Sequence, residues 1–372
     1  MPELRTKNPF LRVFGQARWQ FITIPLLAIF LSLITASVII LILGKDPFET
    51  FKSLLQGSGF IAKPNYAMFK NVFTDFMDTV DALTPMLFAS LAVAVAFHAG
   101  LFNIGVSGQM LLAGFTATVA VGYSELPAAL AKPLVLLIGI VVGALVGGLI
   151  GFLKHRFNIN EVVAAIMLNY IIQYTISFFI NTRFVDPVSR QSRAVSAAAR
   201  LTLMNVPFND VRLRVPLAFA LAILASAFLW YFFAKMKPGF EMKAVGLNRV
   251  ASRYAGIRIG RTLIMAMMVS GALAGLAGVS YYLGYFASIQ PNTLSSVGFD
   301  AIAVSLLGNS HPLGVIFSSW LITGLSRGGT YMSSTVGIRH EIAALIVGLI
   351  LLFSALSQYM RQRINALAAR RK

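Results

Sequence analysis

The chain has no cysteine, and only 12% of its 372 residues are charged. The first absence excludes disulfides, thiolate metal sites and a cysteine nucleophile. The second excludes an ordinary soluble domain, which carries about 25% charged residues; half that usage is too little to cover a water-facing surface. Acids are scarcest, 13 against 31 lysines and arginines, for a net charge of +18. No G-x-x-x-x-G-K-[ST] loop occurs, so the chain itself is not expected to hydrolyse ATP. The histidines His98, His155, His311 and His340 are scattered, whereas a zinc site needs at least three clustered ligands. No acid–base or nucleophile–base pair is recognisable. The chain is therefore read with no catalytic residues and no metal. A low-complexity tract and a repeat of solenoid length are also missing.

What is present is apolar sequence, 57% of the chain, in long runs. About 20 apolar residues make one membrane span. Ten segments are predicted, at 21–43, 82–97, 101–122, 133–153, 162–180, 215–234, 262–283, 299–307, 313–325 and 342–356. The eighth and ninth are short and read as half-helices or Gly-broken spans meeting at Asn309 to Pro312. The first is too long for a signal-peptide core of about 7–15 residues and is read as an uncleaved span. The fold class is all-α, a polytopic integral membrane protein. It comprises a segment 1–20, one transmembrane domain 21–357 containing a loop at 235–261, and a basic tail 358–372. A short amphipathic piece is expected near Phe69 to Phe76.

The positive charge does not point to nucleic acid. Basic residues lie in short clusters between apolar runs, and no basic–aromatic module is visible. An anionic lipid surface accounts for the same charge. With ten crossings and a cytoplasmic N-terminus, residues 1–20, 154–161, 235–261 and the tail hold 18 of the 31 Lys and Arg, which predicts both termini inside.

Small residues recur at helical spacing. Gly139, Gly143, Gly147 and Gly151 line one helix face, and Ser270, Ala274 and Gly278 another, with Gly271 and Gly275 beside them. This pattern is read as close helix packing. Intramembrane polar residues are the usual functional candidates. Here they are Asn103, Gln109, Glu161, Asn169, Tyr170, Gln173 and Asp300. Glu161 and Asp300 each open a helix, where an acid complements the dipole, with Asn160 as N-cap of the first. Asn169 and Gln173 are i and i+4 on one face; they bond a neighbouring helix or line a path for a polar solute, and the sequence leaves both open.

The segment Lys235 to Arg261 is basic and helix-capable between two spans. Pro238-Gly239 is read as ending the sixth span, and a helix is predicted over Met242 to Tyr254. Leu247, Val250, Ala251 and Tyr254 form its apolar stripe, Arg249 and Arg253 lie on another face, and Gly256 stops it. Such a helix lies on lipid, seals the bundle, or plugs into a partner.

The stretch GFEMKAVGLNRVASRYAGIRIGR with MVSGALAGLAG resembles the coupling region of ABC-importer permeases of the branched-chain amino acid, ribose and nucleoside superfamily. LFNIGVSGQM, NEVVAAIMLNYI and GFDAIAVSLLGNSHPLG are similar to its other motifs, in order, over roughly 80–350. NEVVAAIMLNYI is most like the nucleoside and simple-sugar branch. Ser107 departs from it, standing where many relatives carry an acid.

The resemblance implies a permease subunit of an importer, working by alternating access. A second permease, identical or homologous, would complete the path, and an outer solute-binding protein would deliver the solute. ATP and magnesium would sit on separate ATPase subunits, with no cofactor in this chain. Those subunits would grip Gly246, Leu247, Asn248, Arg249, Ala251, Ser252, Arg253, Gly256 and Ile257. The resemblance implies a bacterial inner-membrane location. The rival reading, an ion-coupled secondary transporter, needs titratable groups near mid-membrane, and Asp300 is the one deep-seated acid candidate.

Overall fold

The computed structural model describes residues 20–356 except 340, together with Tyr359 and Arg363. Its elements are, in order, α1 (Gln20–Ile42), α2 (Pro47–Gly57), α3 (Val72–His98), α4 (Val106–Ala117), α5 (Ala128–Phe157) and α6 (Glu161–Phe179). A hairpin of β1 (Thr202–Phe208) and β2 (Val211–Pro216) follows. Then come α7 (Leu217–Lys235), α8 (Lys237–Leu247), α9 (Arg249–Tyr254), α10 (Ile259–Ser280), α11 (Val297–Leu307), α12 (Pro312–Val336) and α13 (Glu341–Ala355). α4, α6 and α10 run on into π turns at Thr118–Gly122, Ile180–Phe184 and Tyr281–Tyr285.

Each of the ten apolar segments contains a helix, though 101–105 is non-helical and 215–216 belongs to β2. Among the described residues, five helices are long and apolar enough to cross a membrane: Val72–His98, Ala128–Phe157, Glu161–Phe184, Leu217–Lys235 and Ile259–Tyr285. The pair Leu26–Ile42 and Pro47–Gly57, bent by 117°, makes a sixth if it is one span. Val106–Gly122 and Val297–Leu307 are shorter apolar helices. The protein is a helical multi-pass membrane protein, and a count of ten crossings goes beyond these helices. The N-terminal segment 1–19 and most of the basic tail lie outside the described residues.

The chain divides into two compact units, one of residues 62–323 and one of 1–61 with 324–372. In the second, α1 packs on α13, and Lys45 Nζ donates to the Val336 carbonyl at 2.9 Å. Gly328 lies against the Leu54 backbone, where a Cβ would not fit.

The core of the larger unit is α10. Its Gly271 and Gly275 face Gly139, Gly143 and Gly147 of α5 so closely that a Cβ on Gly143 would sit 2.8 Å from the Gly275 nitrogen. Its other face, Ser270, Ala274 and Gly278, turns to α3 and α4: Ser270 Oγ donates to the Ala92 carbonyl at 2.7 Å, and Gly278 abuts the Met110 backbone. Two small-residue stripes on one helix thus bring backbones together on both sides, the close packing that lipid-embedded helices use.

The structure departs from the sequence reading in four places. First, the fold is not wholly α: the stretch between α6 and α7 holds the hairpin, turning at Asn209 in left-handed backbone (φ 48°), a conformation asparagine tolerates. Second, the short amphipathic piece expected near Phe69 to Phe76 is not a separate element: its residues from Val72 on open α3. Phe69 (φ 64°) is in a loop, and α3 starts at Val72 behind an Asn71–Thr74 capping box. Third, Pro238 does not end the sixth span: α7 stops at Lys235, Met236 is extended, and Pro238 sits in the first turn of α8. There its missing N–H costs nothing. Fourth, the single helix over Met242 to Tyr254 is two, divided at Asn248. The break predicted at Asn309 to Pro312 is present, with Asn309 and Ser310 both left-handed (φ 53°).

Candidate functional site

The hook, the α8–α9 pair within the 235–261 loop, is built by local chemistry. Asn248 leaves helical backbone (φ −157°, ψ 106°), and its Oδ1 accepts from the Ala251 N–H at 3.0 Å, an N-cap that competes with continuing α8. Ser252 Oγ donates to the Asn248 carbonyl at 2.8 Å. Gly256 (φ 79°) closes α9: its N–H donates to the Arg253 carbonyl and the Ile257 N–H to that of Ser252, the paired bonds of a Schellman motif. The hook is moored by Gly246, which abuts the His98 carbonyl and the Gly100 nitrogen after α3. Arg249 Nη2 reaches the Gly100 carbonyl at 3.3 Å.

This helix is inside out. Polar Ser252 is buried, while Leu247, Val250 and Tyr254 are 88%, 67% and 90% exposed, with Ala251, Arg249 and Arg253 also exposed. Of the three uses left open, sealing the bundle is excluded for this stripe.

The polar candidates separate into three groups. Asn103 and Gln109 are wholly buried and grip one another: Asn103 Nδ2 donates to Gln109 Oε1 at 3.1 Å and to Ser270 Oγ at 2.9 Å. Asn103 Oδ1 accepts from the Gly105 N–H at 3.0 Å. Asn169, also buried, accepts from the Gly108 N–H at 3.0 Å and donates to the Ile104 carbonyl at 3.1 Å. α4 has no side-chain cap at its own first residue, so these two asparagines satisfy the backbone where it begins inside the protein. Glu161 pairs with Lys154 at 2.8 Å, and Asn160 caps the same helix through the Val162 N–H. Tyr170 lies exposed beside Tyr174.

Gln173 and Asp300 belong to a third place, the 286–296 loop. Gln173 Nε2 donates to the Asn292 carbonyl at 2.8 Å, Ser177 Oγ accepts from the Asn292 N–H at 2.8 Å, and Ser107 Oγ donates to the Ser295 carbonyl at 2.9 Å. The Asp300 N–H donates to the Ser296 carbonyl at 2.9 Å. Ser107 also lies against Gly298, where a Cβ would not fit. Beside this loop, at the end of α10, is a cleft of about 310 Å³ bordered by Gln191, Tyr281, Phe286, Ser288 and Gln290. The sequence reading missed it, because Gln191 comes from the 182–214 loop, 90 residues from Tyr281.

Also missed was Asp81. It is 2% exposed inside α3, so Asp300 is not the one deep-seated acid. Its carboxylate pairs with Arg214 of β2 at 3.1 Å and accepts from Thr202 Oγ1 of β1 at 2.7 Å; Asp78 lies 3.8 Å from the same guanidinium. The spacing Asp75, Asp78, Asp81 was the available signal, since i, i+3, i+6 falls on one helix face. This clasp ties the hairpin to α3 seventeen residues before His98, about 25 Å from the hook at 1.5 Å per residue.

The family model for the branched-chain amino acid transport system / permease component matches residues 78–355. The chain is 35% identical over 347 residues to the guanosine ABC transporter permease protein NupP of Bacillus subtilis, covering 92% of this chain and 96% of that one. It is 36% identical over 344 residues to the nucleoside ABC transporter permease protein NupB of Lactococcus lactis, with 90% of each covered. With the glucose ABC transporter permease protein TsgB13 of Haloferax volcanii it shares 27% over 359 residues, 92% of this chain and 90% of the relative. These are transport subunits and not enzymes. With a membrane-spanning helical core and a capped, outward-facing hook between two spans, this chain belongs to the branched-chain amino acid transport system / permease component family.

Proposed function

We infer that the chain is a membrane-spanning subunit of an ATP-binding-cassette importer for a nucleoside or a simple sugar. ATP hydrolysis takes place in a separate ATPase subunit, a solute-binding protein delivers the cargo, and a second permease completes the conduit by alternating access. The relatives at 35–36% identity are named for guanosine and nucleosides, and the one at 27% for glucose, which favours the nucleoside.

The observation that carries this reading is the exposed stripe Leu247, Val250 and Tyr254 on a rigidly capped helix. Burying one such side chain is worth about 1.5–3 kcal/mol, so a protein partner that covers the stripe gains a firm grip. Gly246 and Arg249 connect that grip to the end of α3, and α3 runs from there to the hairpin clasp. Ten crossings with both termini cytoplasmic put the hook and most basic loops on the ATPase side. Gly246, Leu247, Asn248, Arg249, Ala251, Ser252, Arg253, Gly256 and Ile257 form and shape the coupling surface. Gln173 and Asp300 serve the solute path through the 286–296 loop, whereas Asn103, Gln109 and Asn169 hold the broken helix that borders it.

The test is reconstitution in liposomes with and without the ATPase subunit. ATP-dependent uptake that vanishes when the ATPase is omitted is expected. Full uptake by this chain alone, sustained by an ion gradient, would overturn the reading in favour of an ion-coupled carrier.

A further inference from the structure

We propose that the cleft between Gln191, Tyr281, Phe286 and Gln290 is a contact site for the flat base of a nucleoside; this rests on the importer reading above. No charged residue borders the cleft, so its occupant is a neutral solute held by rings and hydrogen bonds. Its volume of about 310 Å³ stands at the lower end of small-molecule sites, which run from roughly 300 to 1,000 Å³. One nucleoside fits and a peptide does not.

The wall chemistry selects a planar, hydrogen-bonding ring. Tyr281 and Phe286 meet at 62° with centroids 4.9 Å apart, an aromatic corner that offers a ring one face to stack on and one edge to abut. Phe286 is 44% exposed, so its outer face is available. Tyr281 also packs edge to face against Tyr282, with centroids 4.9 Å apart. Ser288 Oγ donates to Gln191 Oε1 at 2.5 Å; with its carbonyl engaged, Gln191 presents its amide N–H groups. Gln290 is exposed and brings both a donor and an acceptor, which matches the mixed edge of a base. A sugar has no planar face to fill the corner.

The position suits handover. The loop that frames the cleft is bonded to α4 through Ser107, to α6 through Gln173 and Ser177, and to the start of α11 through Ser296 and Asp300. α4 begins within the protein beside Ser270, near the midpoint of Ile259–Tyr285. A ring bound in the cleft therefore lies against the loop that these helices hold.

The experiment is photolabelling of the complete transporter in nanodiscs with 8-azidoadenosine, mapped by peptide mass spectrometry. Expected is labelling within residues 281–296, blocked by excess adenosine and not by glucose. Phe286→Ala, at an exposed position, is expected to raise the half-saturating adenosine concentration for uptake about tenfold, as loss of one ring stack does, and Gln290→Ala, also exposed, to raise it about fivefold, as loss of one hydrogen bond does. A Val188→Ser control, outside the cleft, keeps the wild-type value. Labelling confined to other segments, protection by glucose equal to that by adenosine, or unchanged saturation in both variants would overturn the proposal. ATP-driven uptake by the wild type separates the two readings. If it carries adenosine and the cleft is unlabelled, the cleft assignment alone falls; if it carries no solute with ATP, both fall.

Discussion

Gly246 of α8 lies against the carbonyl of His98 at the end of α3, close enough that no side chain fits between them. The contact makes the hook an extension of a long buried helix and not a loose loop. Adding one methyl group is expected to push the hook off α3. Gly246→Ala should leave the protein membrane-inserted while reducing solute-stimulated ATP hydrolysis in the complex several-fold. Hydrolysis and uptake rates measured on the same liposomes check this; rates equal to wild type would mean that the contact transmits nothing.

The outward stripe predicts a separation of folding from assembly. Leu247→Ser with Tyr254→Ser alters side chains that are 88% and 90% exposed. Surface changes of this kind move stability by no more than about 0.5 kcal/mol. Thermal stability in detergent is expected to be unchanged, while the ATPase subunit is lost from affinity-purified permease. Arg249→Glu with Arg253→Glu should weaken co-purification too, with Arg249 contributing partly through its bond to Gly100.

Asn169 makes both of its amide bonds to the Ile104–Gly108 segment. Asn169→Leu leaves the Gly108 N–H buried and unpaired, at about 1–3 kcal/mol. A fall of Tm is expected, with uptake lowered in proportion to folded protein. Asn169→Asp, which keeps the acceptor, is expected to retain more stability than the leucine variant. Uptake lost at undiminished Tm would assign Asn169 to solute contact instead.

The clasp at the other end of α3 is the largest stability lever. Arg214→Met strands the Asp81 carboxylate, and removing one partner of a buried pair costs about 3–5 kcal/mol. Asp81→Asn introduced on top of it should recover part of the loss, because the two changes share one interaction. The thermal transitions of both single variants and the double variant decide the matter; additive losses would show that the pair is uncoupled.

Much of this architecture was legible residue by residue. Apolar runs marked α1, α3 to α7 and α10 to α13 because burial in lipid requires unbroken hydrophobic length. The spacing of Gly139, Gly143 and Gly147 announced a close helix contact, and Asn309 to Pro312 announced a break. Asn160 and Gly256 were recognisable as helix ends because capping involves neighbours within a few positions. Asn248 shows where that logic was incomplete: hydrophobic periodicity ran through it, while its side chain stopped the helix.

Short-range pattern therefore determined which segments are helical, which faces are small or apolar, and the family to which the chain belongs. Tertiary contact alone decided the rest. Asn103 meets Ser270 across 167 positions, Gln191 meets Ser288 across 97, and Thr202 meets Asp81 across 121. Nothing in such a residue's neighbours states whether its hydrogen bond ends on a helix, a loop or a solute, because that depends on which distant backbone the packed glycines bring within reach. The same holds for the hook, whose stripe is apolar in sequence but faces outward only because Ser252 and Gly246 are the residues turned toward the protein.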